Sequence, residues 1–435
     1  MIPLTRRCGL AAGLAAVTAV GLTACGSGDQ EVAGEPEAPA EPVSLTMTVW
    51  TADEGQLAMF QSIADAYVAE NPDLVAEVSF EAIPFEDYTT SLTTRLAGGN
   101  APDLAWILES YAPEFVQSGA LVDVGPTLQA ADGYDYDDLL DSSLSLWQQD
   151  DGLFAYPFSN SPFAMFVNTD QIEAAGQPSP ADLVAADEWT YEAAREIAAA
   201  TAEESGKQGL VVRDFEYQVW ENLSTIWEGW GAAPWSEDGT QCTFTDPEMV
   251  EAMTWIHDAT FVDGALPGPG TTADFFAGDA AMTITQISRA SSLDESFGWD
   301  VVPLPAGPEG RQNVIGQAGI GVFAQAENPD VAADFLAWFT NPENAEQLAA
   351  NFPPPRESLL TSEVLGAANP LLSEEQLQAV VVEGIQDAVT KPAHPSFARL
   401  QEAVRIELDS LWSADADVEQ VLGDVCTAID PVLAD

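Results

Sequence analysis

Residues 45–109 read LTMTVWTADEGQLAMFQSIADAYVAENPDLVAEVSFEAIPFEDYTTSLTTRLAGGNAPDLAWILE. Leu45 to Trp50 alternates β-prone residues and predicts a strand. Leu57, Phe60, Ile63, Ala64 and Tyr67 then recur at helical spacing, and Asn71-Pro72 stops the helix. LVAEVSFEAIP is a second strand, FEDYTTSLTTRLA a second helix ended by Gly98-Gly99, and DLAWILE a third strand. Strand, helix, strand, helix, strand is the pattern of a parallel sheet covered by helices, which sets the fold class as α/β.

The alternation continues downstream. GLFAYPFSNSPFAMFVNTDQIEAAG, residues 152–176, reads as a β crossover, and TYEAAREIAAATAEES, residues 190–205, as a helix. Asp246 is a candidate N-cap with Pro247 at the first helical position, and Met249, Ala252, Met253 and Ile256 follow along one face. The C-terminal hundred or so residues are helix-rich, and no internal repeat is evident.

Upstream of residue 43 the chain changes character. Arg6 and Arg7 precede an almost wholly apolar or small run, Cys8 to Ala24, which has the layout of a secretory signal and is short for a permanent membrane span. It ends in Leu22-Thr23-Ala24-Cys25, similar to the bacterial lipobox, which implies cleavage before Cys25 and lipid on its thiol. TRRCGL loosely resembles a twin-arginine signal, so the export route, Sec or Tat, stays open. GSGDQEVAGEPEAPAEP has no aromatic residue and too little apolar surface to offset its ordering entropy. The sequence therefore divides into a signal peptide, residues 1–24, a disordered tether, residues 25–42, and a folded body of about 390 residues, long enough for two domains.

The chain carries 71 acidic against 12 basic residues. Such a field repels nucleic acid and anionic ligands, and it fits a saline habitat. With Cys8 in the signal and Cys25 assigned to lipid, Cys242 and Cys426 remain. In an oxidising compartment they are expected to pair; the alternative is two separate buried thiols. Enzyme signatures are missing: there is no Gly-x-Ser-x-Gly elbow, neither lysine follows the glycines of a phosphate loop, and GQAGIG lacks dinucleotide spacing. His257 and His394 have no ligand pattern around them, so no metal and no cofactor are expected.

The joint order of LTMTVW, FQSIADAYVAENPD, TTRLAGGNAPDLAWI, FAYPFSNSPFAMFVNTDQIEAAG, Trp189-Thr190, FTDPEMVEAMTWIHD, FFAGDAAMTI, WDVVPLPAGPEG, GQAGIGVFAQAENPDVAADFLAWF and FPPPRESL resembles the extracellular solute-binding proteins of bacterial ABC importers. The similarity is to the large sugar-binding branch that includes maltose-binding protein. It implies a two-lobed, periplasmic-binding-protein-like fold (type II), each lobe a mainly parallel sheet flanked by helices and joined by hinge crossovers. Lobe I is expected to hold residues 43–158 and 316–354, and lobe II residues 159–315 and 355–435. The crossings fall near Phe158 to Ser161, Gly316, and Pro353 to Arg356. This division puts Cys242 and Cys426 in one lobe, which strengthens the disulfide expectation.

The implied function is capture of a saccharide between the lobes by a monomer anchored through Cys25 to the outer face of the cell membrane, and its delivery to a permease. A sugar presents apolar C–H faces that stack on aromatic rings and hydroxyls that need directional partners. In an α/β sheet such side chains belong on loops after the C-terminal ends of strands. Trp50, Asp53 and Glu54 follow the first strand, and Glu109 and Tyr111 the third. Trp227 and Trp230 lie in the tryptophan-rich VWENLSTIWEGWGAAPW. By resemblance Trp230 is the preferred stacking platform, while Gln286, Gln317 and Arg356 are polar contacts. For each tryptophan the competing expectation is core packing, and for each polar residue a solvated surface position. Other ligand classes are a polyol, a peptide or a cationic solute; a secreted glycosidase is a distant alternative, since it needs only two carboxylates.

Overall fold

The computed structural model describes residues 39–212, 219–268, 273–368, 370–386 and 388–434. The expected signal peptide and Cys25 lie outside them. Among the described residues the strands are β1 (Val43–Val49), β2 (Val75–Ala82), β3 (Leu104–Leu108), β4 (Gln148–Gln149), β5 (Gly152–Leu153), β6 (Ala155–Asn168), β7 (Gln208–Val212), β8 (Ala280–Gln286), β9 (Trp299–Val302), β10 (Val314–Val322) and β11 (Val389–Thr390). They form one sheet in the order β2-β1-β3-β10-β6-β8-β7, with β11 on β10 and β9 on β6, plus the small pair β4-β5.

The first βαβαβ unit is built as its sequence predicts. β1 pairs in parallel with β2 and β3. Helix α1 (Glu54–Glu70) buries Phe60, Ile63, Ala64 and Tyr67, the helically spaced apolar set. Asp53 starts it by accepting from the Gln56 N–H, and the Asn71 N–H closes it on the Tyr67 carbonyl. Helix α2 (Phe85–Ala97) buries Tyr88 and Leu92 against the sheet.

Two strands carry the chain between lobes. All fourteen residues of β6 are buried. Its first part pairs with β10, from Ala155 opposite Gly321 to Pro162 opposite Ile315. Its second part, from Phe163 on, pairs antiparallel with β8 and β9. β10 likewise meets β3 from Ala318 to Val322 and β11 at Val314 and Ile315. Within the large sheet every antiparallel pair thus involves one of the two crossover strands, while β1-β2, β1-β3, β7-β8 and the short β10-β11 pair are parallel. Pro162, which has no N–H for a ladder, sits at the handover.

Two cores follow from this. Lobe I buries Leu45 through Phe158 together with Ala318 through Leu348. Lobe II packs one sheet face against Trp189, Trp220, Trp227, Met253 and the C-terminal helices, and the other against Phe275, Leu365, Leu377 and Val381. The third passage comes slightly later than the sequence places it. Arg356 is fully buried and is held by lobe I, donating to the carbonyls of Asp135 at 3.0 Å and Thr340 at 3.1 Å. Leu360 is the first large residue beyond it in the lobe II core.

Cys242 and Cys426 form a disulfide with Cα atoms 5.3 Å apart. It ties the loop before the helix Pro247–Phe261 to the final helix Val418–Leu433, both in lobe II. Cross-linking residues so distant in sequence restricts the unfolded chain strongly, and it leaves the crossings untouched. No helix among the described residues is long and apolar enough to cross a membrane.

Candidate functional site

A cavity of about 380 Å³ opens where β6 and β10 cross between the lobes. This is within the usual range for small-molecule sites. Lobe I supplies Trp50 from the end of β1, Phe85 and Glu86 from the start of α2, Leu108 and Glu109 from the end of β3, and Phe352. The crossings supply Phe158, Ser159, Ser161, Gly316, Gln317 and Ala318, and lobe II supplies Gln286, Ser288, Arg289 and Lys391.

The lobe I wall is aromatic. The half-buried Trp50 meets Trp106 edge-to-face at 4.7 Å, Tyr88 at 5.1 Å and Phe85 at 6.0 Å. Trp106 in turn stacks on Phe158 at 4.6 Å, and Phe158 meets Phe352 at 5.1 Å. Trp50 is therefore held in orientation by rings behind it, with part of its surface left for a ligand. Phe85 is 50 % exposed, an unusual position for a large apolar ring, and it stands at the cavity rim.

The floor is a hydrogen-bonded hinge. The Gln317 carboxamide accepts from the Trp147 indole at 2.7 Å and donates to Asn160 Oδ1 at 2.6 Å and the Ser143 carbonyl at 3.1 Å. The Asn160 N–H donates to the Pro353 carbonyl at 3.0 Å. Gln317 and Asn160 thus join all three chain passages. Gly316 carries no side chain for a reason: a Cβ there would lie 3.0 Å from Gln286 Nε2. Its bareness lets Gln286 reach across the crossover strand.

Charge enters from both lobes. Glu109, 2 % exposed, and Lys391, 8 % exposed, form an ion pair at 2.9 Å. Lys391 also donates to Asn222 Oδ1 at 3.3 Å. The neighbouring Glu221 is buried; burial raises its carboxyl above the usual range, while Lys391 opposes that rise and Glu109 adds to it. The lobes also touch at Tyr111, whose hydroxyl donates to Gln401 Oε1 at 2.9 Å and whose ring meets Phe397 at 5.3 Å.

Of the ten candidate residues, Trp50, Glu109, Gln286 and Gln317 come together here. The other candidates do not line the cavity. Trp227 is fully buried and Trp230 is 7 % exposed. Both belong to the lobe II core, Trp230 between Tyr191 at 5.5 Å and Trp255 at 5.7 Å. Helical spacing turns these rings inward because lobe II needs volume there. Arg356 is spent on lobe I carbonyls and lies over the Tyr134 ring at 4.7 Å. Asp53 is the cap of α1 and Glu54 its exposed first residue, while Tyr111 serves the contact with Gln401. Sequence reasoning missed Phe85, Phe158, Phe352, Ser288, Arg289 and Lys391. Phe85 was legible as the first residue after the second strand. Phe158 and Phe352 flank the expected crossings, but nothing local distinguishes them from core.

Among the described residues no group of three or more His, Cys, Asp and Glu side chains is arranged to hold a metal ion. The backbone resembles that of solved solute receptors. An ABC substrate-binding protein from Listeria monocytogenes in complex with cycloalternan superposes with a TM-score of 0.77 at 22% identity, covering 90% of this chain and 99% of that one. A cyclic alpha-maltosyl-1,6-maltose binding protein from Arthrobacter globiformis gives 0.73 at 21% identity, with 90% and 99% covered. In sequence, a Brucella abortus protein whose name records only a binding role is 24% identical over 412 residues, 91% of this chain and 94% of its own length. A profile of bacterial extracellular solute-binding proteins matches residues 62–373. A family match over most of the chain, on a two-lobed frame with a cleft at its crossings, leads to one conclusion: this chain belongs to the bacterial extracellular solute-binding protein family.

Proposed function

We propose that this protein is the substrate-binding component of an ABC importer and that it captures an uncharged mono- or oligosaccharide. The observation that carries the reading is the division of the cavity wall. One side offers aromatic faces, Trp50 and Phe85, and the other offers Gln286, Ser288 and Arg289. Rings suit the C–H faces of a sugar and the polar groups its hydroxyls. The two structural neighbours described above, named for cycloalternan and for a cyclic maltosyl-maltose, support the same ligand class.

A solute that touches both walls favours the closed arrangement by its differential affinity, and the crossings provide the hinge. The closed form is then handed to a permease, and this chain performs no catalysis. Cys25 is the lipid attachment point, and the acidic Pro- and Ala-rich stretch before Val43 is the tether that keeps the monomer near the outer face of the membrane. The lobe limits are those of the sequence reading, with the third passage after Arg356.

Thermal shift of the mature chain against neutral mono- and oligosaccharides, polyols and peptides tests the ligand class. A neutral saccharide should raise the melting temperature; a panel in which only polyols or peptides do so refutes the assignment. Mass analysis of the membrane fraction should find diacylglyceryl on an N-terminal Cys25, and a soluble chain starting elsewhere would remove the anchor.

A further inference from the structure

The charge of the cavity differs from that of the molecule around it. The whole chain carries 71 acidic and 12 basic residues, yet among the described residues the ionic side chains lining the cavity are two of each sign: Glu86, Glu109, Arg289 and Lys391. Lys391 makes the largest difference because of where it sits. It is one of two lysines in the sequence, it is 8 % exposed, and it reaches from lobe II to Glu109 of lobe I at 2.9 Å. Asn222 holds its ammonium from behind at 3.3 Å. Glu221, 6 % exposed, precedes Asn222 in the chain and is coupled to Lys391 and to Glu109.

Without that ammonium the same cleft would have the make-up of a cation site. It would hold the buried Glu109 carboxylate at its base, within electrostatic reach of the buried Glu221, and aromatic faces on its wall, the combination that attracts ammonium groups. The acidic exterior would add a long-range pull on cations. Lys391 already occupies the place that a solute cation would take.

We propose that Lys391 is a specificity-determining residue: it acts as a tethered cation that fills the cleft's carboxylate subsite and thereby tunes the cleft to neutral rather than cationic solutes. This rests on the saccharide reading above and gives it a reason in charge. Discrimination here comes from an element that rejects the wrong ligand as well as from contacts to the right one.

The test compares wild type, Lys391→Met, Lys391→Arg and the double variant Glu109→Gln/Lys391→Met. Each is titrated with maltose and maltotriose as neutral probes and with choline and glucosamine as cationic probes. Lys391→Met should gain affinity for the cations by on the order of tenfold or more. Lys391→Arg should keep the wild-type ranking, and the double variant should lose the gain. A role in packing alone would weaken all probes together and would not invert their order. A folded Lys391→Met that gains no cation affinity overturns the proposal, and so does a gain that survives in the double variant. Should Lys391→Met not fold, Lys391→Gln carries the same reading, because it keeps a donor toward Asn222 and removes the charge. Wild type that binds no saccharide of any kind, while Lys391→Met gains cation affinity, refutes the saccharide reading and leaves the role of Lys391 standing. Wild type that binds a neutral saccharide, with no change of ranking in the folded variant, does the reverse.

Discussion

The two lobes use their aromatic residues in opposite ways. Lobe II holds the densest tryptophan run, Trp220, Trp227, Trp230 and Trp235, and spends it on packing: Trp220 and Trp227 have ring centroids 6.1 Å apart inside the core. Lobe I has fewer tryptophans, yet it builds the cavity's aromatic wall from Trp50, Phe85, Phe158 and Phe352. Lobe II meets that wall with polar and charged groups. Aromatic density in a sequence therefore reports volume to be filled. Position at a strand end or a chain crossing reports access to a ligand, because only there does the backbone leave the sheet and free a ring face.

This contrast can be broken by substitution. Trp227→Ala should have the largest effect, lowering stability by about 3–5 kcal/mol through the cavity it leaves in the core, as read by denaturant unfolding. Loss of saccharide binding with unchanged stability would instead place Trp227 at the ligand. Trp50→Ala should show the converse: about tenfold to a hundredfold weaker binding by calorimetry, from a lost stacking face, with a much smaller stability change. Equal losses of binding and stability would mean that lobe I, too, uses its rings only as core.

A pH experiment sharpens the lobe II side. Burial pushes the Glu228 carboxyl up to about 7. A carboxyl raised on folding stabilises the protein fully below its unfolded value, and that contribution is lost as pH rises through about 7. Glu228→Gln should remove this fall, leaving the variant about 1–3 kcal/mol more stable than wild type at pH 8 relative to their difference at pH 4. A difference that does not change with pH would show that Glu228 titrates normally. The smallest effect is expected at Asp53. Asp53→Ala should cost about 1 kcal/mol, from the lost bond to the Gln56 N–H, and leave saccharide affinity as it was. A tenfold loss of affinity would return Asp53 to the site.

Legibility followed the range of the interactions concerned. The βαβαβ unit was readable because its determinants are local: alternation from Leu45, the helical spacing of Phe60, Ile63 and Tyr67, the cap at Asp53. The crossings near Ser161 and Gly316 came from the family resemblance rather than from any local signal. Six of the ten candidate residues lie off the cavity, two of them for a shared reason. Trp230 and Arg356 are residue types that suit a sugar, but the same types also fill cores and anchor carbonyls. Choosing between those uses takes knowledge of what lies across the fold.

The sequence by itself determined the α/β class, the cysteine pair left for bonding, the acidic field, and Trp50 and Glu109 at strand ends. Each of these depends on neighbours in the chain, on counting, or on total charge. Only the tertiary structure decided that Lys391 meets Glu109, that Gln317 and Asn160 together staple three passages, and that Phe85 rather than Trp230 faces the cavity. Those facts depend on which of two buried or half-buried surfaces a side chain meets. That choice is made by the packing of one lobe against the other, between residues hundreds of positions apart.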